Sequence, residues 1–463
     1  MAACAAMPVT APRERFPAAV WYLAWNEAAE RFSYYGMTSI LTLHLVQHLG
    51  QAKNDAISWY SYFSAAVYLM PLLGGFIADR FWGRYHTILW LSFGYVAGHL
   101  TIALWESAAG MLVGCALIAL GSGGIKPNAS AFAGDQIPKD KPTLLERLYD
   151  LWYWMINIGS LASQFAVPWL YVNYGPRVAF GTPAAAMALA LVVFVVGRKR
   201  YLKPPPSGPN PHSFTRVLLS AAANAGHPER EAAWLGGAAV AHPAWALDGA
   251  RSVLRILAVF AAVSAFWALF FQYGSSWTLQ ADEMDRVLLG YLIPAGQVQT
   301  LDALFVLSLI PVFTFVLYPA LERRGVRLTA LRKMAAGMFV MVLAFAATAG
   351  VESVLRAGVQ LHVAWQIPQY LLLAIAEVLV SVTALEFAYT QAPPAMKSAI
   401  MGVWFVTFFV GNLLTGVVSA LNRFQGVAYF VFFAVLQLVA AVVFALVARW
   451  YPEKPTPART AHA

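Results

Sequence analysis

Apolar runs close to the roughly 20 residues that a helix needs to cross a hydrocarbon core recur along the whole chain. Read as spanning helices, they fall at 18–46, 56–78, 87–104, 111–131, 151–172, 180–196, 253–271, 301–321, 331–349, 363–389, 398–421 and 427–447, twelve in all. Most are separated by short polar turns. The exception is 197–251, the longest stretch that does not span. It opens "VGRKRYLKPPPSGPNP", basic residues followed by prolines, which marks a stiff, extended start to a linker. It also holds "SFTRVLLSAAANAG", whose spacing predicts a short amphipathic helix lying along the membrane surface. Six spans precede this linker and six follow it. The expected fold class is therefore an all-α polytopic membrane protein. Its expected parts are an N-terminal six-helix bundle over 1–197, a cytosolic linker over 198–252 and a C-terminal six-helix bundle over 253–463.

Composition supports a membrane protein. The chain is 60% hydrophobic and 11% charged, with a mean hydropathy of +0.61. A soluble domain carries about 25% charged residues. The net charge of +9 raises the question of nucleic acid, and its placement answers it. Of the 31 Lys and Arg, 24 fall on one side of the twelve spans. Five fall on the other (Lys53, Arg177, Arg286, Arg356, Arg423), and Arg31 and Lys126 fall within spans. This is the positive-inside bias, so both termini are expected in the cytosol and no nucleic-acid partner is expected. Arg13 and Arg15 precede the first span without a cleavable signal pattern. Cys4 and Cys115 suggest no disulfide, and no Cys/His spacing suggests a metal site or cofactor. His44, His48, His86 and His99 are scattered and receive no role. The Ala-rich composition points to a bacterial inner membrane.

Two turns echo each other. "GGFIADRFWGR" follows the second span and "ALERRGVRL" the eighth, the same place in each half. The first resembles the loop signature of the major facilitator superfamily, as does the arrangement of two six-helix halves. Physically, Gly74 and Gly75 permit close helix approach. Asp79, Arg80 and Arg84 form a charge cluster suited to latch the cytoplasmic side. Gly75, Asp79, Arg80 and Arg84 are thus the expected cytoplasmic gate.

Charges inside spans cost about 2.5–3.5 kcal/mol each on insertion scales, and they mark functional sites. This chain has Glu27, Glu30 and Arg31 in the first span, Lys126 in the fourth, Asp302 in the eighth, and Glu377 and Glu386 in the tenth. Glu27, Glu30, Arg31, Tyr34, Tyr35 and Thr38 fall on one helical stripe, with Glu27 and Arg31 an i, i+4 pair. Such a stripe must face protein or a water-filled cavity. A buried structural salt bridge is the competing reading. Lys126 could instead snorkel. "GSGG" at Gly121 reads as helix packing rather than a phosphate loop.

Glu27-x-x-Glu30-Arg31-Phe32-x-Tyr34-Tyr35-Gly36 resembles the first-helix signature of the proton-dependent oligopeptide transporter family. "GSGGIKPNASAFAGDQ", "WYWMINIGS", "FWALFFQYGSSWTLQAD", "WQIPQY" and "EVLVSVTALEFAYTQAP" resemble further stretches of that family, in order along nearly the whole chain. The resemblance implies proton-coupled symport of di- and tripeptides by alternating access, across a plasma membrane, by a functional monomer with no enzymatic activity. It implies that Arg31 and Lys126 hold the peptide carboxylate and Glu377 the amino group. Glu27 and Glu30, with Arg31, take part in proton coupling. Tyr35, Tyr68, Asn157, Trp277 and Trp404 match pocket-lining positions. The chemistry agrees, because cations on one half and an acid on the other bind both ends of a zwitterion without reading side chains.

The departures from that family are specific. Thr38 stands where many relatives have arginine, Ser61 where some have histidine, and Phe271 where an aspartate is often seen. Asp302 stands where relatives often have asparagine. It either supplies a protonatable carboxyl or favours peptides with a basic side chain, so it is carried as both a proton-coupling and a substrate-binding candidate. The extra helix pair of bacterial members is not found in this linker. Two other functions stay open: a proton symporter for another small anionic or zwitterionic metabolite (nitrate-like), and a non-transporting peptide sensor.

Overall fold

The computed structural model describes residues 15–225, 235–326, 328–391 and 396–451, except for the side chains of 386, 389, 397 and 398. Glu386 and Cys4 thus lie outside the described side chains. The elements in chain order are α1 (Ala18–Gln47), α2 (Lys53–Ile77), α3 (Gly83–Leu104), α4 (Ala108–Gly134), α5 (Pro142–Tyr174), α6 (Pro176–Val196), α7 (Phe214–Ala223) and α8 (Ala244–Phe270). Then follow α9 (Ser276–Asp282), α10 (Thr300–Val312), α11 (Tyr318–Arg323), α12 (Ala330–Arg356), α13 (Ile367–Glu377), α14 (Thr383–Gln391), α15 (Lys397–Ala420) and α16 (Val427–Trp450). Among the described residues, nine helical stretches are long and apolar enough to cross a membrane. The protein is all-α and polytopic, with one addition that the hydrophobic pattern does not predict. Strands β1 (Val287–Leu288) and β2 (Tyr291–Leu292) form a small antiparallel hairpin, turned by Leu289 and Gly290 at φ 51° and 81°.

Local chemistry sets the helix ends. Pro142 and Pro176 open α5 and α6, where a missing N–H costs nothing. Ser107 caps α4 by accepting from the Gly110 N–H at 3.1 Å. Gly83 and Gly175, at φ 72° and 84°, make the tight turns between α2 and α3 and between α5 and α6.

Two large apolar cores form among the described residues. One runs through α1–α6 around Tyr95, Phe132, Phe180 and Phe194, and the other through α8–α16 around Phe260, Trp267, Phe345 and Phe433. Helix approach in the first depends on glycine. A Cβ on Gly74 would run into the Gly123 carbonyl of α4, and one on Gly98 would meet the Gly114 carbonyl at 2.7 Å. Gly75, expected to share this task, faces open space. The α2–α3 turn differs from expectation in a second way. Arg84 pairs with Asp135 at 2.5 Å rather than with Asp79, which is exposed along with Arg80. Asp135 ends α4, so the pair ties α3 to α4.

The linker packs on protein. The Gln136 side chain donates to the Leu202 carbonyl at 3.0 Å and accepts from its N–H at 2.8 Å. The Asp79 carbonyl accepts from the Gly208 N–H at 3.0 Å, and Lys203 caps the Tyr85 ring at 3.9 Å. The α7 helix forms where the sequence predicts it, but Val217 and Ala221 bury against Leu235, Ala238, Leu247 and Ala250 rather than a membrane surface. Helix α8 begins at Ala244, so the end of the expected linker is already the first turns of the next long helix.

Hydrogen bonds across the two halves gather near the α1–α2 turn. Gln47 donates to Asp282 at 2.7 Å, Asn54 to Asn422 at 2.7 Å, Ser58 to the Gly416 carbonyl at 3.0 Å and Thr42 to the Gly274 carbonyl at 3.1 Å. An ion pair joins Lys53 to Glu283 at the same end.

The two neighbouring glycines of α2 provide a matched test of helix approach. Gly74→Ala should destabilise the fold by about 1–3 kcal/mol, because the methyl drives α2 away from α4. Gly75→Ala should leave thermal unfolding in detergent unchanged. Equal melting curves for both variants would contradict the packing described here.

Candidate functional site

The interior of the N-terminal half holds a cluster of four charges. The Arg31 Nε lies 2.8 Å from Glu27 Oε1 and 3.0 Å from Glu30 Oε2. Lys126 Nζ lies 3.7 Å from Glu30 Oε1. The Tyr95 hydroxyl of α3 donates to that same oxygen at 3.2 Å. Lys126 also sits over the Tyr34 ring, 4.1 Å from its centroid, and makes no hydrogen bond among the described residues. Two acids and two cations leave the cluster neutral, which is how charge survives where solvent does not reach.

Helix approach holds the cluster in place. Gly159 of α5 lies against the Ala28 carbonyl, and a Cβ there would meet the Arg31 Cβ at 3.1 Å. The Gly74–Gly123 approach sets α4, which carries Lys126, closely against α2. Lys126 is buried, with a side-chain exposure of 5%, so the snorkelling alternative does not hold.

A cavity of about 190 Å³ lies between the halves. From the N-terminal half come Tyr35, Tyr68, Tyr153, Asn157, Ser160 and Gln164. From the C-terminal half come Trp267, Phe271, Tyr273, Asp302, Glu377 and Phe408, among others. Among the described residues, no Lys or Arg is in its lining. Tyr68 stacks on Phe408 across the halves at 4.7 Å. Glu377 is the last residue of α13, and the chain continues through a wide π turn, Val378–Val382. Such turns recur at functional sites, where they re-aim neighbouring side chains. Asp302 lies in the first turn of α10 and is buried, and its Oδ1 has no hydrogen-bond partner among the described residues. An orphan of this kind costs about 1–3 kcal/mol, or more for a charge.

The first-helix stripe thus divides. Glu27, Glu30 and Arg31 face the bundle interior, and Tyr35 alone of the six residues lines the cavity. Thr38 turns its hydroxyl back onto the Tyr34 and Tyr35 carbonyls at 3.1 and 3.2 Å. The stripe spans too wide an arc for one cavity wall. Trp277 and Trp404 are not in the cavity lining. Trp277 is buried between Phe345 and Tyr370, and Trp404 packs against Phe260, Trp267 and Phe408. Residues missed by the sequence reading include Tyr95 and the α5 stripe. Tyr153, Ser160 and Gln164 stand at i−4, i+3 and i+7 from Asn157, a polar line that the sequence did offer. Among the described residues no cluster of His, Cys, Asp and Glu could hold a metal ion.

The chain is thus a polytopic helical protein with a neutral charge cluster in one half and two carboxyls lining a cavity between the halves. The sequence profile of the POT family matches residues 85–429. The chain belongs to the POT family and has its all-α polytopic fold. It is 39% identical over 358 residues to solute carrier family 15 member 2 of Mus musculus, covering 73% of this chain and 49% of that protein. The chain spans about half the length of the curated relatives it matches. Among solved structures, the POT family transporter PepTSo is 39% identical, with a TM-score of 0.88 over 96% of this chain and 100% of that one. An auto-inhibited POT family peptide transporter is 36% identical, with a TM-score of 0.86 over 95% and 99%.

The cluster predicts a specific stability pattern. Arg31→Ala leaves two buried carboxylates short of a cation and should cost about 3–5 kcal/mol. Adding Glu27→Gln to it should recover part of that loss, read as thermal unfolding of the purified protein in detergent. Additive losses in the double variant would mean that the two side chains do not interact.

Proposed function

We propose that this protein is a symporter that moves di- and tripeptides together with protons across a plasma membrane by alternating access. The observation that carries the reading is the division of charge. Cations occur in the interior of the N-terminal half, and carboxyls on the C-terminal side of one shared cavity. A zwitterion bridging them ties the halves together. A nitrate-like anion would have no use for Glu377, and a non-transporting sensor would not need charge in both halves.

In this reading the twelve crossings are α1 to α6 in one bundle, and α8–α9, α10–α11, α12, α13–α14, α15 and α16 in the other. The continuous stretch Lys53–Leu104 counts as two crossings, bent at Gly83. Helices α1 and α5 cross despite Glu27, Glu30 and Arg31 in one and Glu146, Arg147 and Asp150 in the other. Both termini and the linker lie in the cytosol, so the end bearing Lys53 and Glu283 faces outside and is closed.

The cycle follows from partner exchange. Arg31 and Lys126 are held by Glu27 and Glu30 when the site is empty. A peptide carboxylate arriving at these cations displaces an acid from its partner. A buried carboxylate without a partner binds a proton rather than remain charged. Proton and peptide thus enter together. Glu377 takes the amino group, and Tyr35, Tyr68 and Asn157 line the space between. The Arg84–Asp135 pair, with Asp79 and Arg80 beside it, belongs to the cytoplasmic side that must move.

Proteoliposomes test this directly. An imposed inward proton gradient should drive accumulation of labelled Ala-Ala. Lys126→Ala and Glu377→Gln should each reduce uptake by about tenfold or more, as expected for loss of a charge-assisted contact. Uptake indifferent to the gradient would sink the coupling, and full activity in both variants would sink the site.

A further inference from the structure

We propose that the cavity selects peptides carrying a second positive charge on their amino-terminal residue, and that Asp302 is the group that receives it. This rests on the peptide reading above and adds a substrate class to it. Asp302 and Glu377 line the same cavity from the same half. Among the described residues no cation lies in the lining, and Arg31 and Lys126 are already engaged by Glu27 and Glu30. An ordinary dipeptide brings one ammonium group to a wall with two carboxyls. One carboxyl is then left without a partner, and Asp302 Oδ1 is already a buried orphan.

The position of the second charge follows from which half holds the acids. Both belong to the half that takes the amino end, so the added charge must lie on the first residue. A lysine or arginine there presents its α-ammonium and its side-chain cation to the same wall. Its alkyl stem lies against the aromatic lining formed by Tyr68, Trp267, Phe271 and Phe408. The same residue in second position points its charge toward Arg31 and Lys126, where it is repelled. An acidic first residue faces two carboxyls.

Competition against labelled Ala-Ala uptake in proteoliposomes, using Lys-Ala, Ala-Lys, Glu-Ala, Ala-Ala and free lysine, tests the inference on the native chain. Lys-Ala should inhibit about tenfold more strongly than Ala-Ala, and Ala-Lys should not, as expected for one added charge-assisted contact. In Asp302→Asn the ratio of Lys-Ala to Ala-Ala inhibition should fall to about one, whatever the absolute rate. Equal inhibition by Lys-Ala and Ala-Lys overturns the proposal, as does inhibition by free lysine matching that of Lys-Ala. A preference retained in Asp302→Asn with gradient stimulation lost overturns it in favour of a proton site. Absence of any Ala-Ala or Lys-Ala uptake by the native protein overturns the peptide reading as well, so the two failures are distinct.

Discussion

The structure depends on keeping four charges out of water without leaving any of them alone. Arg31 satisfies two acids, and Lys126 adds a second cation to Glu30. Removing ions from water costs several kcal/mol each, and only near-ideal geometry repays it. That constraint explains the glycines around the cluster better than any local preference does. Gly159 lets α5 lie against α1 beside Arg31, and Gly74 and Gly123 let α2 and α4 meet. Tyr95 supplies the hydroxyl that an exposed site would have taken from solvent.

The same constraint bears on both readings that the sequence poses for the cluster, the structural and the functional, because one does not exclude the other. A neutral set of ion pairs is disturbed by another charge of matching sign and reach. In the proposed cycle a ligand carboxylate is such a charge, and a proton is the small species that restores neutrality afterwards. A buried salt bridge that merely fixed helix packing would not need two further carboxyls lining the cavity between the halves. Asp302 and Glu377 are that pair.

Much of this was legible in the chain. The length and spacing of apolar runs gave the helices, and the i, i+4 relation of Glu27 and Arg31 gave their ion pair. The burial of Lys126 followed from its distance to the nearest cytosolic charges. What escaped depends on rotation and neighbours rather than periodicity. A six-residue stripe covers enough arc that Tyr35 reaches the cavity while Glu30 turns toward α3 and α4. Trp277 matched a lining position by motif, yet its ring is enclosed by Phe345 and Tyr370. Gly74 and Gly75 are indistinguishable in sequence, and only the position of α4 separates them. The apolar face of α7 predicts burial but not against what, and the linker itself supplied the partner.

Helix α1 links the charges to the contact between halves. It is one uninterrupted helix over Ala18–Gln47, rising about 1.5 Å per residue. The ion pairs occupy its residues 27–31, and Tyr35 reaches the cavity one turn further on. Beyond that, the Ser39 carbonyl accepts from Gln299, Thr42 donates to Gly274 and Gln47 donates to Asp282, all in the other half. A rigid helix carries rotation from one level to the next, because its own hydrogen bonds resist local twisting. A change in the pairing of Arg31 that tilts or turns α1 therefore bears directly on the bonds that close the Lys53 end. The reverse also holds, since breaking those bonds frees α1 to reposition Arg31. Linkage between two sites has to be reciprocal in this way, and a single helix bonded at both levels is a sufficient physical carrier for it.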